Sequence, residues 1–84
     1  MVPDVIELKV VTPTESRFLK VDWIELESPN GGFVVGPGHE SLISMIKAKS
    51  KFSYKTVQGD FVIMETLGGI FTVDQNKAVA LLDE

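Results

Sequence analysis

Apolar and polar side chains alternate with period two along most of this chain, which is the period of a β-strand covered on one face. In Ile6-Glu7-Leu8-Lys9-Val10 the three apolar residues fall on one side and the two charged residues on the other. Residues 20–27 alternate again. Ile24 and Leu26 share a face, Trp23 needs cover, and Asp22 and Glu25 do not fit a single wet face. In residues 50–57, Phe52, Tyr54 and Thr56 share one face. Residues 61–67 form a more continuous apolar run, the pattern of a strand covered on both sides. Two further apolar runs, 70–73 and 78–82, complete the set.

The turn chemistry supports this reading. Asn30-Gly31 predicts a type I′ hairpin turn, and Gly59-Asp60 a type II′ turn. Asp74, Gln75, Asn76 and Lys77 predict a polar loop of four residues. Residues 40–49 are ambiguous. Leu42, Met45, Ile46 and Lys49 have helical spacing, whereas Leu42-Ile43 followed by Met45-Ile46 suits a buried strand. The expectation is a short helical turn or irregular chain after His39, and then a strand. Many short strands at close spacing predict an all-β sandwich or barrel.

With 84 residues and no linker or repeat, the chain is expected to be one domain over residues 1–84. A domain this small buries roughly 60–65% of the surface of its unfolded chain, so core burial barely offsets the entropy of ordering. With no cysteine and one histidine, neither a disulfide nor a multi-histidine metal site is available to staple it. A permanent protein partner is therefore a reasonable expectation. The net charge of −4 disfavours a general nucleic-acid binder. No apolar run approaches the ~20 residues that span a bilayer. Met1-Val2-Pro3-Asp4 has no basic region or apolar stretch of a signal peptide, so the expected setting is the cytoplasm or a similar reducing compartment.

Candidate chemistry is sparse. Gly31-Gly32 and Gly36-Pro37-Gly38 concentrate glycine, but no Lys-Ser or Lys-Thr follows, and Pro37 removes a backbone donor. Backbone geometry is the simpler use of these glycines. His39 has no orienting acid on its own face, because adjacent Glu40 points away on an extended chain. A structural hydrogen bond or a place in an interface suits it better than catalysis. Lys47, Lys49, Lys51 and Lys55 flank Phe52 and Tyr54, as in a surface for single-stranded nucleic acid or another anion. Period two, however, sends the lysines to one face and the aromatics to the other. Gly68-Gly69 marks a bulge or a close backbone approach. No nucleophile–base pair and no metal set emerges, so no catalytic, cofactor-binding or metal residue is expected.

Taken together, the segments resemble one family. The stretch Gly32-Phe33-Val34-Val35-Gly36-Pro37-Gly38-His39-Glu40-Ser41-Leu42 is similar to the Pro-Gly-His signature of F-type ATP synthase epsilon subunits. Gly68-Gly69-Ile70-Phe71-Thr72-Val73, then Asn76, then residues 79–83 resemble that family's second signature. Ile6-Glu7-Leu8-Lys9-Val10-Val11-Thr12-Pro13 matches its first strand and turn.

The resemblance implies a flattened antiparallel β-sandwich of about ten short strands. It implies a non-catalytic rotor subunit of the central stalk, without cofactor, that packs on the gamma subunit and the c-ring and couples ion flow to ATP synthesis. Such a subunit is peripheral, on the cytoplasmic face of the inner membrane or the equivalent side in an organelle. Carried over by position, Thr12, Pro37, Gly38, His39 and Ser44 face gamma. Ser28, Pro29, Asn30, Gly31, Gly32 and Phe33 form the loop facing the c-ring, and Gly68 and Gly69 are structural. The family's C-terminal helical hairpin begins where this sequence stops, so its inhibitory and nucleotide-binding roles are not carried over. Gly32, Glu40-Ser41 and Leu67 depart from the residues common in the family. The competing expectation is a free-standing small β-barrel that binds nucleic acid or an anion through the lysines of residues 47–55.

Overall fold

The computed structural model describes residues 5–83, and within them eight strands and no helix. The strands are β1 (Ile6–Val11), β2 (Ser16–Ser28), β3 (Gly31–Val35), β4 (Leu42–Ile46), β5 (Ser50–Thr56), β6 (Phe61–Thr66), β7 (Gly68–Asp74) and β8 (Lys77–Asp83). They hydrogen-bond in the order β4-β7-β8-β1-β2-β5-β6, with β3 added to β2. Residues Met1–Asp4 and Glu84 of the expected 1–84 domain, and with them the leader reading, lie outside the described residues.

This continuous sheet folds into two layers because β2 serves both. Its first half pairs with β1, its second half with β3, and its middle with β5. The first layer is therefore β4-β7-β8-β1-β2, and the second is β3-β2-β5-β6. Phe52 on β5 and Phe71 on β7 are four strands apart in the sheet, a distance of ~19 Å if it were flat. Their ring centroids instead lie 6.3 Å apart across the core, with the ring planes tilted by 49°. The Lys47 N–H, just past β4, closes the curl by donating to the Glu27 carbonyl at 2.8 Å.

A β-bulge in β2 explains its untidy alternation. The pairing with β5 shifts register between Val21 and Trp23, so Asp22 is an extra residue. The inward phase then moves from Val21 to Ile24 and Leu26, all fully buried. Trp23 is turned outward and covered edge-on by Phe61, with ring centroids 5.2 Å apart. The core draws on both layers: Ile6, Leu8 and Val10 from β1, Phe71 and Val73 from β7, Ala78, Ala80 and Leu82 from β8, and Phe52 and Tyr54 from β5.

The expected all-β sandwich is therefore present, with three corrections of detail. The described strands number eight, because β2 runs unbroken for 13 residues. One pair, β1 with β8, is parallel, since the last strand enters beside the first from across the sheet. Residues 61–67 are not covered on both sides: β6 ends the sheet, and Phe61, Ile63 and Leu67 are all more than half exposed.

The turns also differ from expectation. Positive φ falls on Gln75 and Asn76, so the type I′ geometry joins β7 to β8 as a two-residue turn, and Asp74 pairs directly with Lys77. The β2–β3 turn is Pro29-Asn30; there only Gly31 has positive φ, and the Ser28 hydroxyl accepts from the Asn30 N–H at 3.2 Å. The β5–β6 turn is a three-residue loop, Val57-Gln58-Gly59, closed by Thr56 N–H on the Asp60 carbonyl at 2.8 Å. After the Pro37-Gly38 turn the chain is as expected: residues 39–41 are irregular and the strand β4 follows, with no helix in 40–49.

Candidate functional site

Two of the residue groups singled out in the sequence are built into turns. Thr12 is nearly buried, and its hydroxyl accepts from the Glu15 N–H at 3.2 Å, so it fixes the β1–β2 turn. Pro37 and Gly38 are exposed, and the Gly38 N–H donates to Asn76 Oδ1 at 2.7 Å. That bond ties the Pro-Gly-His turn to the β7–β8 turn, whose Asn76 carbonyl accepts from the Glu7 N–H at 2.8 Å. His39 is half-buried, and its Nδ1 lies 2.7 Å from the Glu40 carbonyl oxygen. Ser41 Oγ adds a donor to Asp74 Oδ1.

The five residues carried over as gamma-facing do not form one patch. Pro37, Gly38 and His39 are contiguous near the start of β1. Thr12 follows the end of that strand, roughly 17 Å further on at ~3.3 Å per residue. Ser44 lies on the edge strand β4, on the same side as core residue Ile46, and its hydroxyl donates to the Met45 carbonyl at 3.0 Å.

The hairpin residues do stay together. Ser28 donates to the Gly31 carbonyl at 2.9 Å and fixes the tip, with Pro29, Asn30, Gly31 and Gly32 exposed. Phe33 is half-buried and packs on the core, anchoring the hairpin to the body.

Gly68 and Gly69 stand where the chain crosses from the second layer back to the first. A Cβ on Gly69 would run into the Leu81 carbonyl, and one on Gly68 would come within 3.2 Å of the Ile46 carbonyl. The crossing is pinned by Thr66. Its buried hydroxyl reaches the Gly68 and Asp83 carbonyls, each at 2.8 Å, and accepts from the Gly68 N–H at 3.1 Å.

A contiguous apolar surface on the first layer was missed in the sequence. Strand register places Met45, Ile70, Leu81 and Val11 in one lateral row on the outside of the first layer. Ile43, Thr72, Val79, Lys9 and Phe18 form the next row. Ile43 is 78% exposed, Phe18 77% and Met45 65%. The signal was present in β4, where Ile43 and Met45 are apolar on the face opposite Leu42 and Ile46. Taking Leu42-Ile43 and Met45-Ile46 together as a buried strand left the outward face unseparated from the inward one.

The lysines of residues 47–55 do not make a stacking surface. Phe52 and Tyr54 are buried in the core, while Lys51 is exposed on the other side of the strand. Among the described residues, no group of three His, Asp or Glu side chains converges as a metal set requires. Among these residues no helix is long and apolar enough to cross a membrane.

The molecule is thus a small two-layer β-sandwich that presents an apolar sheet face and a hairpin tied by the Ser28 side chain. The chain belongs to the ATP synthase delta/epsilon chain β-sandwich family, whose model matches residues 5–84. That family is a stalk subunit and not the catalytic one. No curated protein sequence matches the chain. A chain of the Euglena gracilis mitochondrial ATP synthase (OSCP/F1/c-ring) has the same fold, with a TM-score of 0.89 at 18% identity over 98% of this chain. A chain of the Tetrahymena thermophila mitochondrial ATP synthase central stalk and c-ring aligns over 94% of this chain, with a TM-score of 0.79 at 12% identity. This chain spans 52% and 63% of the length of those two.

Proposed function

We propose that residues 1–84 act as one sandwich domain in the rotor of an F-type ATP synthase, packed on the gamma subunit with the hairpin tip toward the c-ring. The domain does no chemistry. It forms part of the rigid body that turns with the stalk and couples ion flow to ATP synthesis. Through the complex it is held at the membrane without entering it.

The observation that carries this reading is the bare outer face of the first layer. Contiguous exposed apolar rows on a small soluble domain mark a surface that a partner covers. The residues carried over from the family fringe this face. The Pro37-Gly38-His39 turn borders it through its tie to the β7–β8 turn, and Thr12 and Ser44 lie on strands that carry it, with their side chains on the inner side. Burial of Ile43 and Met45 supplies affinity, and the polar fringe supplies register. A close-packed core resists deformation under torque. The hairpin tip, stiffened by Ser28 and anchored by Phe33, is the part built to bear on a neighbour at one end.

The test is co-expression with the gamma subunit from the same genome, followed by gel filtration. A stable one-to-one complex is expected. Two separate peaks from two folded proteins would leave the rotor assignment without support.

A further inference from the structure

The apolar face is not uniform in charge. On its β4 and β7 side lie Ile43, Met45, Ile70 and Thr72. On its β8, β1 and β2 side the register brings Lys77, Glu7 and Lys20 into one row and Lys9 and Phe18 into the next. These residues, with Val79, line an open groove of about 450 Å³. Three lysines there stand against Glu7 and, opposite Lys77 at the end of its row, Asp74, which leaves an excess of one positive charge on a chain whose net charge is −4. Lys9 Nζ lies over the Phe18 ring, 5.2 Å from its centroid. Among the described residues, the salt bridge present is Arg17 with Glu15 and involves none of the three lysines.

We propose that this groove receives an acidic segment of the stalk partner that covers the face, with carboxylates on Lys20 and Lys77 and an apolar side chain against Phe18 and Val79. Charge complementarity is the argument. A local excess of positive charge on an otherwise acidic domain is tolerated in solution and becomes favourable when carboxylates are brought to it. It also fixes orientation. An apolar sheet face alone can be covered in several registers, whereas a charged corner beside it admits one. This inference rests on the rotor reading and adds the chemistry of the partner and the end of the face it approaches first.

The experiment measures the association rate of the domain with the cognate gamma subunit at low and high ionic strength. The wild-type rate is expected to fall about tenfold or more as salt is raised, as electrostatic steering requires. The double variant Lys20→Glu/Lys77→Glu is expected to associate about tenfold more slowly at low salt and to lose that salt dependence. The control Lys47→Glu/Lys51→Glu changes the net charge equally on other surfaces and is expected to keep the rate within about threefold. If the reversed pair crowds Glu7 and impairs folding, Lys20→Gln/Lys77→Gln gives the same reading with a smaller drop. A wild-type rate indifferent to salt, or equal losses in both double variants, overturns the acidic segment while leaving the rotor assignment intact. Failure of the folded wild-type domain to bind gamma at all overturns both.

Discussion

On the outside of the first layer, Ile43, Met45, Ile70 and Leu81 adjoin one another with no charged residue between them. The outside of the second layer is different. Phe61, Ile63 and Val34 are also exposed there, but Lys55, Glu25, Lys51, Glu27 and Glu65 are interleaved among them. Both faces are the reverse sides of one alternating pattern whose inward residues make the shared core. The difference shows what alternation leaves open. It decides which residues go inside, but the composition of the outward positions decides whether water or a protein covers them. The second face is dressed for solvent in the way that blunts edge strands. The first is not.

The harshest way to break this comparison is to break the joint between the layers. Gly69→Ala puts a methyl group into the Leu81 carbonyl, on a backbone with φ of +154°. Neither the carbonyl nor the strand beside it can retreat without parting β7 from β8. The expected loss is about 3 kcal/mol or more of unfolding free energy, read from a urea titration. Stability within about 0.5 kcal/mol of wild type would mean that β8 yields freely at the Leu81 carbonyl.

The second test sets the two faces against each other directly. Met45→Glu on the first layer and Ile63→Glu on the second are equivalent changes, each on an exposed position of a terminal strand. Both are expected to leave stability within about 0.5 kcal/mol. Met45→Glu is expected to weaken gamma binding by about 2 kcal/mol, roughly thirtyfold by calorimetry, because a carboxylate then enters a dry contact. Ile63→Glu should change it less than threefold or so. A larger effect from Ile63→Glu assigns the partner to the opposite face.

A smaller effect is expected at the hairpin, which belongs to neither face. The Ser28 side chain holds the tip through Gly31 and Asn30. Ser28→Ala removes both bonds at an exposed site, so about 1 kcal/mol or less of global stability is lost. Hydrogen exchange should locate the loosening at the amides of Asn30 and Gly31. Unchanged protection at the tip would show that Pro29 and Phe33 suffice to hold it.

The two-layer core was legible in the sequence because burial follows period two. Ile6, Leu8 and Val10, Ile24 and Leu26, and Phe52 and Tyr54 are inward as the alternation requires. The bulge was half legible, since the misfit of Asp22 and Glu25 was its trace. The exact turns were not, because Asn-Gly and Gly-Asp allow positive φ without demanding it. Cross-strand pairing placed that geometry on Gln75 and Asn76 instead. The apolar face was not legible either. It is assembled laterally from β4, β7, β8 and β1, strands as far apart in the chain as Val11 and Leu81, and only register brings them together.

His39 gives the finest test, because its position borders the first face without belonging to its apolar rows. The ring is half-buried, and its Nδ1 lies within hydrogen-bond distance of the carbonyl of its own neighbour, Glu40. Such a local bond holds the turn but ties no layers together. The Pro37-Gly38 turn has its own tie through the Gly38 N–H and Asn76. His39→Ala should therefore cost the isolated domain no more than about 0.5 kcal/mol. If the turn lies at the margin of the gamma contact, the same change should weaken the complex by about 1 kcal/mol, close to fivefold. The ratio of the two losses carries the information. A binding loss that exceeds the stability loss puts His39 at the fringe of the covered face. Equal losses make it a support for the turn alone, and the boundary of the partner's footprint then falls inside the row of Ile43 and Thr72.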